Sequence, residues 1–505
     1  MDEIRNYRVL LWSTIVLFIL CLFKGINISG EDMVEMIPYL LKWEDPTLYS
    51  KDFYLNYVWD LKFFERSTLL YIFHYSPLSI EITSYFLFIF FALLMISSMI
   101  LIFNYFLDSI RISVVFTLLY CSFSHLTSIG MNELYNNVPV SSFFSFSLLT
   151  FAFYVILLQR YFIAIILITL AAYIHPVCGM HGYIYYSLYM IFKEGNIRNN
   201  IRKLIKLSTI FVLFFIPYVY FLLRSSKPIN INSTLVAQIL EFRIGHHFYP
   251  QYQGAIHWFI FILLCTISIA YFRKYNRGMM GVIIGGLGVI ILYSIGLIIF
   301  SIEFLTNSVL LISSVWLEFF SMVAVAAITW KFIQSNFKLE IRSWEIFITA
   351  GVLILMLTWV IVGKYLHHET QLLLEEQIEI SENASRISSK VDLFIIPQNF
   401  TFFKTIAKRS CYVDYKSIAH HPAYLLKWYE RIQSIYNINI DDRRSMLNLN
   451  SLADLHLAKT PDSTLSVWNK NFQINYIIRP IPISESMYPI LYRTKHYCLQ
   501  KIENE

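Results

Sequence analysis

The chain has 505 residues, 57% of them apolar, and a formal net charge of +6. Its mean hydropathy of +0.55 indicates a polytopic membrane protein. The basic residues follow the predicted membrane topology, so the positive charge does not indicate a nucleic-acid surface.

Eleven stretches are predicted to cross the bilayer, because a spanning helix needs roughly 20 mostly apolar residues. The fifth and sixth are short, as expected for a broken or tilted pair of helices. The spans lie near residues 9–27, 85–106, 112–130, 138–158, 161–176, 178–192, 204–223, 255–272, 279–300, 307–330 and 343–366.

Basic residues in alternate short loops predict the orientation, since such loops stay on the cytoplasmic side. The short loops 131–137 and 301–306 contain no lysine or arginine. The N-terminus is therefore predicted to be cytoplasmic, and the first span, which no small-residue cleavage site follows, is expected to be a retained signal anchor. The predicted cytoplasmic segments carry Arg5 and Arg8, Arg111, Arg160, Lys193 to Lys206, Arg273 to Arg277, and Lys331 to Arg342.

Three long segments are then predicted to share the outer face: loop 28–84, loop 224–254, and a tail from residue 367 to 505. The tail begins with a charged helical stretch, Glu369 to Ser389, and continues with β-like runs at 391–396 and 476–478. We therefore predict a transmembrane domain over residues 1–366 and a small extracytoplasmic α/β domain over residues 367–505.

Two of the six cysteines, Cys411 and Cys498, lie in the predicted outer tail. An oxidising compartment would permit a disulfide between them, although their spacing alone does not establish one. The other four lie in or beside spans, where a cysteine is usually a small buried apolar residue.

The first candidate site is the acidic pair Glu31 and Asp32, directly after the first span. Carboxylates that are partly desolvated at a membrane surface can act as general bases. The competing interpretation is that the pair only caps a surface helix. If a helix begins at residue 32, Glu31 is expected to be the cap and Asp32 the base. Glu44, Asp45 and Asp52 are expected to set caps and turns around Pro46.

The second candidate site is the His175-Pro176 step, with Gly179 and His181 close behind. Proline and glycine interrupt a helix and free backbone groups that need partners. Both histidines are candidates to line a site at this break. The competing interpretation makes them hydrogen-bonded packing residues.

The third candidate site is the segment from Glu241 to Pro250. Arg243 offers a charged planar fork, and together with His246 and His247 it is predicted to bind a phosphate, with Tyr249 lining the site. Metal binding by the two histidines is the alternative, but adjacent histidines lack the usual spacing of zinc ligands. A surface loop with incidental histidines is the third interpretation.

Within the spans, Gly281 and Gly285 form a small-xxx-small pair, which predicts close packing between helices. The sequence contains no motif for a phosphate-binding loop, a zinc-binding helix or a serine-nucleophile elbow.

Taken together, these features resemble the GT-C superfamily of membrane glycosyltransferases: the acidic pair, a long first outer loop with Asp45-Pro46-Thr47-Leu48-Tyr49 and Asp52, the His175-Pro176 break, the Arg243 loop and the outer tail. In the tail, the run from Arg409 through Val413, Asp414, Tyr415 and Lys416, followed by Trp428-Tyr429-Glu430-Arg431, resembles a pattern of a poorly characterised bacterial branch of that superfamily.

The resemblance implies a GT-C-like fold and a bacterial inner (plasma) membrane location. It also implies sugar transfer from a polyprenyl-phosphate-type donor to a glycan, lipid or protein acceptor. Asp32 or Glu31 would deprotonate the acceptor hydroxyl, while Arg243, His246 and His247 would stabilise the departing phosphate. The pair reads Glu-Asp where relatives carry Asp-Glu or Asp-Asp, which leaves the identity of the base open. These residues do not require a divalent metal.

Two other functional classes stay open. A transporter or lipid flippase would use His175, Arg243 and Glu31 along a translocation path, although the polar residues gather at one membrane face. An assembly scaffold would need no essential carboxylate.

Overall fold

A computed structural model describes residues 2–123, 129–225, 233–300, 308–336, 351, 352, 354, 358, 368–483 and 486–502. The chain forms two compact units. The helical unit comprises Met1–Ile28, Pro77–Phe221 and Ile244–Val362. The mixed unit comprises Ser29–Ser76, Leu222–Arg243 and Gly363–Glu505.

Helices dominate the described residues up to 336, as the hydropathy of the sequence predicts. In chain order they are α1 (Asp2–Lys24), α2 (Met33–Glu44), α3 (Phe53–Leu61), α4 (Ser67–His74), α5 (Ile80–Leu107), α6 (Ile110–Phe123), α7 (Ser141–Leu157), α8 (Tyr161–Ile174), α9 (Pro176–Phe192), α10 (Ile197–Ser225), α11 (Ser233–Phe248), α12 (Ala255–Tyr275), α13 (Arg277–Ile298) and α14 (Ser314–Asn336).

Six of these stretches are long and apolar enough to cross a membrane: Tyr7–Lys24, Ile80–Leu107, Ile197–Ser225, Ala255–Tyr275, Arg277–Ile298 and Leu310–Asn336. Three shorter apolar helices, α6, α7 and α8, accompany them. The chain is therefore an integral membrane protein. The count of eleven spans stays a prediction, since most of the eleventh, 343–366, and residues 124–128 of the third lie outside the described residues.

Glycines of α13 allow it to approach α9 closely within the helical unit. A Cβ atom on Gly281 would lie 2.2 Å from Cβ of Phe192, and one on Gly285 would lie 2.4 Å from a methyl carbon of Leu188. Real Cβ atoms do not approach so closely. At Gly281 the obstacle is the Cβ atom of Phe192, which cannot move without the backbone, whereas at Gly285 it is the flexible end of Leu188. The predicted close packing at this small-xxx-small pair is confirmed.

The tail contributes helices and a five-stranded sheet to the mixed unit, in keeping with the α/β character that the sequence predicts. Its helices are α15 (His368–Ile387), α16 (Phe403–Ala407), α17 (Pro422–Tyr436), α18 (Ile440–Arg444), α19 (Leu449–Lys459) and α20 (Asp462–Phe472). Its strands are β1 (Leu393–Ile395), β2 (Ser410–Cys411), β3 (Tyr476–Pro480), β4 (Ile490–Arg493) and β5 (Tyr497–Lys501).

The sheet has the order β2-β1-β3-β5-β4. Strand β1 runs parallel to β2 and β3, whereas β5 is antiparallel to β3 and β4. Helix α15 covers one face, and side chains such as Ile380, Phe394 and Leu499 form the apolar core beneath it. The predicted elements at 369–389, 391–396 and 476–478 correspond to α15, β1 and β3.

Cys411 and Cys498 are both free and buried, so the disulfide considered from the sequence does not form. Cys411 lies in β2 and Cys498 in β5, with β1 and β3 between these strands. Neighbouring strands are about 4.8 Å apart, which separates the two cysteines well beyond the roughly 7 Å that a disulfide tolerates between Cα atoms.

The mixed unit also contains the loop 29–76, a grouping that the sequence alone does not predict. A buried ionic triad joins this loop to the tail: Nζ of Lys404 lies 2.5 Å from Asp414 and 3.8 Å from Asp52. Asp52 also caps α3 by accepting from Leu55 N, and it accepts a second bond from Cys411 N. The predicted capping role of Asp52 is confirmed. Asp45, for its part, accepts a hydrogen bond from Thr47 N in the turn at Pro46.

Candidate functional site

Asp32 is the N-cap residue of α2, but its side chain caps nothing. Its carboxylate instead forms two ion pairs within the mixed unit: Oδ2 lies 3.5 Å from Nη2 of Arg66, and Oδ1 lies 3.8 Å from Nζ of Lys416. Each oxygen of the acid therefore points to a different cation. The carboxylate is only part-buried, which leaves it accessible to solvent.

Glu31 lies outside the helix in a left-handed backbone conformation, with φ at +45°. The expectation that Glu31 is the helix cap is wrong, because α2 begins at Met33 and Asp32 holds the cap position. Glu31 is exposed, and its charge acts on Lys416. Both acids of the pair therefore belong to the same electrostatic environment.

Arg66 is buried and is held by a second acid. Its guanidinium pairs with the buried Glu35 of α2, and Glu35 also accepts a hydrogen bond from the hydroxyl of Tyr54 at 3.2 Å. Glu35 neutralises Arg66 and orients it, since a buried charge without a partner is costly. Three helices, α2, α3 and α4, meet at this network.

Arg243 reaches the same lysine from the segment 222–243. Its Nη2 donates to the carbonyl oxygen of Lys416 at 3.2 Å, and its guanidinium lies 4.7 Å from the ring centroid of Tyr415. Nε of Arg243 is buried and has no hydrogen-bond partner among the described residues. Arg243 and Asp32, two residues predicted from the sequence, therefore both contact Lys416.

The residues just before Arg243 anchor this segment to the tail. Glu241 accepts hydrogen bonds from Arg444, the shortest at 2.7 Å from Nη2. The ring of Phe242 packs against Tyr415, Trp428 and Tyr429. These contacts position Arg243 independently of any ligand.

Lys416 is positioned by a tight turn of the tail. Asp414 accepts a hydrogen bond from Ser417 N and pairs with Lys404, while its carbonyl oxygen accepts from Nε1 of Trp428 at 3.0 Å. Burial alone lowers the pKa of Lys404, but the carboxylates of Asp414 and Asp52 raise it above its ordinary value. Lys404 therefore stays charged and holds the turn.

Other ionisable groups of the cluster also carry shifted pKa values. Desolvation lowers the pKa of Lys416, opposed by the charge of Asp32. Desolvation and, to a smaller extent, the charge of Asp32 raise the pKa of Glu65 to about 7, opposed by a hydrogen bond to its own backbone. His420 interacts electrostatically with Arg66, Asp32 and Arg243.

Sequence reasoning did not select Arg66, Glu65 or His420, because no motif marks the loop between α3 and α4 or the end of the 409–416 run. Lys416 was present in that run only as part of a family resemblance. The available signal was a lysine that directly follows Tyr415 and lies two positions after Asp414.

The other predicted site residues belong to the helical unit. His175 caps α9, its Nδ1 accepting from Cys178 N at 3.2 Å, with Pro176 in the first turn. Nε2 of His181 bonds the carbonyl oxygen of Ser308 at 2.9 Å, and its buried Nδ1 has no partner in the part of the chain that the structure describes. The predicted helix break at His175-Pro176 is present.

His246, His247 and Tyr249 follow an interruption of α11 at Ile244, whose φ of −138° is not helical. The rings of His246 and His247 lie 4.0 Å apart, and Nδ1 of His247 bonds the carbonyl oxygen of Gly130 at 2.6 Å. Tyr249 N donates to the carbonyl oxygen of Gly245. Contacts described for these residues therefore lie within the helical unit, whereas those of Arg243 lie within the mixed unit.

Residues 375–435 match the model of a family described as a domain of unknown function (DUF6798). The matched segment includes Lys404, Asp414, Lys416 and His420, and so covers the tail's contribution to the cluster around Asp32. No curated protein matches the chain.

Proposed function

We propose that this protein is a membrane glycosyltransferase of the GT-C type, which moves a sugar from a polyprenyl-phosphate-type donor to an acceptor hydroxyl. One observation carries the proposal: an accessible carboxylate, Asp32, lies between Arg66 and Lys416, and Arg243 binds the backbone of the same lysine. A base next to convergent cations is the arrangement that this reaction needs.

In the proposed reaction, Asp32 takes the proton of the acceptor hydroxyl as its oxygen attacks the anomeric carbon of the sugar. The bond from that carbon to the phosphate oxygen breaks, and its electron pair leaves with the lipid phosphate. Lys416, Arg243 and Arg66 stabilise the negative charge that grows on the phosphate. Glu31, whose charge acts on Lys416, is proposed to adjust the local charge.

The orientation forms part of the proposal. The N-terminus is cytoplasmic, and the mixed unit lies on the outer face of a bacterial inner membrane. The acceptor is a glycan, lipid or protein on that face. This orientation rests on the distribution of lysine and arginine between the loops.

The proposal predicts that Asp32→Asn, which keeps the shape of the side chain but removes the proton acceptor, lowers turnover by roughly 100-fold to 10,000-fold. Membranes of cells carrying this variant should accumulate the unused lipid-linked sugar, which mass spectrometry of the lipid extract would both detect and identify. Asp45→Asn is the matched control, since Asp45 lies in the same loop and is paired with Lys390.

Full turnover and no lipid accumulation in a folded Asp32→Asn protein would remove Asp32 from the chemistry. If Glu31→Gln alone abolished turnover, the base would be Glu31.

A transporter or flippase is the second candidate, favoured by His181, whose Nδ1 is buried without a partner among the described residues, six positions after the helix break. That function predicts that His181→Gln stops movement of a lipid between leaflets of proteoliposomes while Asp32→Asn leaves it unchanged. The glycosyltransferase predicts instead that neither variant changes lipid movement and that Asp32→Asn loses sugar transfer.

A further inference from the structure

Two lysines from different parts of the helical unit lie beside one tyrosine ring. Lys193 directly follows α9, and Lys203 lies in the second turn of α10. Their Nζ atoms lie 4.3 Å and 4.4 Å from the ring centroid of Tyr161, the first residue of α8. The face of an aromatic ring attracts each ammonium group, but two ammonium groups at one ring also repel each other.

The turn between α9 and α10 fixes this arrangement. Nδ2 of the buried Asn200 donates to the carbonyl oxygen of Lys193 at 3.0 Å. Gly195, which lies between them, has a φ of +110°, a backbone conformation that residues with a Cβ atom disfavour. Lys193 therefore reaches Tyr161 from a turn of defined geometry.

The two lysines have no carboxylate partner among the residues that the structure describes. Glu194, next to Lys193 in the chain, is exposed and forms no ion pair with either lysine, and α10 contains no acidic residue. Desolvation and, after it, the charge of Lys203 lower the pKa of Lys193 below its ordinary value. The described residues therefore leave both positive charges without neutralisation.

Helix α10 connects these charges to a surface that faces lipid. It is long and apolar enough to cross a membrane, and its side chains Leu213, Phe214 and Ile216 are exposed. At 1.5 Å per residue, Lys203 lies about 15 Å along the helix from Leu213, which is close to half of the roughly 30 Å hydrocarbon core. When the exposed apolar side chains occupy that core, Lys203 lies at the level of the lipid headgroups.

The positive-inside rule accounts for basic residues at this end of the unit, but it does not explain why two lysines share one ring. A phosphate between the two ammonium groups would replace their mutual repulsion by attraction to a common anion. A headgroup with a net negative charge fits better than a zwitterionic one, because the exposed Arg198 and Arg202 nearby would repel a second cation.

We propose that Lys193 and Lys203 bind the phosphate of an anionic phospholipid whose acyl chains lie along the exposed apolar side of α10. Each ammonium group donates hydrogen bonds to a phosphate oxygen, while the ring of Tyr161 keeps the two groups together. The inference is independent of the proposed glycosyltransferase reaction. In the proposed orientation the lipid belongs to the cytoplasmic leaflet.

Native mass spectrometry of the full-length protein in detergent tests the inference by counting bound lipids. The wild type is expected to bind one dioleoyl phosphatidylglycerol in preference to dioleoyl phosphatidylcholine. Lys193→Gln/Lys203→Gln should weaken phosphatidylglycerol binding by about 30-fold, the loss expected of two lysine contacts with an anionic lipid. Lys193→Arg/Lys203→Arg, which keeps both charges, should retain most of the affinity.

Arg273→Gln/Arg277→Gln is the matched control, because it removes two exposed positive charges where α12 ends and α13 begins. It should bind phosphatidylglycerol as the wild type does. An equal loss of affinity in both glutamine pairs would overturn the inference, since the lysines would then contribute only to a general attraction. Equal binding of the two lipids by the wild type would overturn it as well.

Glycerol phosphate, a soluble counterpart of the headgroup, distinguishes a lipid site from a site for a free phosphate compound. At millimolar concentration it is expected to leave bound phosphatidylglycerol in place, because it has no acyl chains to contact α10. Displacement of the lipid would overturn the lipid assignment. Thermal unfolding supplies a second readout: phosphatidylglycerol should raise the Tm of the wild type and of the arginine control, and an equal rise in Lys193→Gln/Lys203→Gln would exclude the lysine pair.

Discussion

Arg243 is fixed at two points, by its hydrogen bond to the carbonyl oxygen of Lys416 and by the ring of Tyr415 beneath its guanidinium. A guanidinium stacked on an aromatic ring keeps its remaining donors in one plane. Its buried Nε has no partner among the described residues. At the scale of single residues, this is the observation that most favours the proposed binding of a phosphate.

We expect Arg243→Ala to weaken binding of a polyprenyl phosphate by about 2–5 kcal/mol, because the remaining charges would lose a desolvated partner. Arg243→Lys should restore only part of the affinity, since an ammonium group cannot reproduce the planar fork. Arg386→Ala is the matched control, as the side chain of Arg386 is 71% exposed. Equal affinity in wild type and a folded Arg243→Ala protein would exclude this arginine from the site.

At the scale of elements, the site depends on how α2, α3 and the turn at 414–417 are held together. Lys404 in α16 connects them, since it pairs with Asp52 at the start of α3 and with Asp414 in the turn that carries Lys416. Its Nζ also donates to the hydroxyl of Ser417 at 2.7 Å. One buried lysine therefore sets the distance between the loop and the tail.

Lys404→Met should destabilise the mixed unit by about 3–5 kcal/mol, because it leaves two buried carboxylates without their cation. The measurement is thermal unfolding of the purified full-length protein, together with limited proteolysis of the tail. Lys427→Met, at an exposed position of α17, should have little effect on either. Unchanged melting in Lys404→Met would show that the triad does not join the loop to the tail.

How much of this arrangement the sequence predicts depends on the range of the interaction. Hydropathy predicts helices such as α5, and short runs of β-branched and aromatic residues predict β1 and β3, because both signals are local. The capping role of Asp52 is also local. The contacts of Asp32 are not local, since Arg66 and Lys416 lie far from it in the chain. No sequence motif links either residue to Asp32. Glu31 was misplaced because the helix begins one residue later than assumed.

At the scale of the whole molecule, orientation in the membrane is the property that the proposed function needs most. With the native cysteines replaced, a cysteine at Asp441 should react with an impermeant reagent in intact cells, whereas a cysteine at Asn199, near Arg202, should react only after the membrane is opened. Both positions are exposed, so accessibility to the reagent depends on the side of the membrane. The reverse labelling pattern would show that the orientation is the opposite of the one proposed, with the site on the cytoplasmic face.

The hydrogen bond from Cys411 N to Asp52 joins residues 359 positions apart in the chain. At a synthesis rate of roughly 5–20 residues per second, the first loop exists for tens of seconds before its partners in the tail are made. Until then Asp32 and Asp52 lack their partners in the tail, Lys416 and Lys404. An incomplete chain therefore has no assembled site. The proposed reaction can begin only after the tail has been synthesised and has folded against the loop.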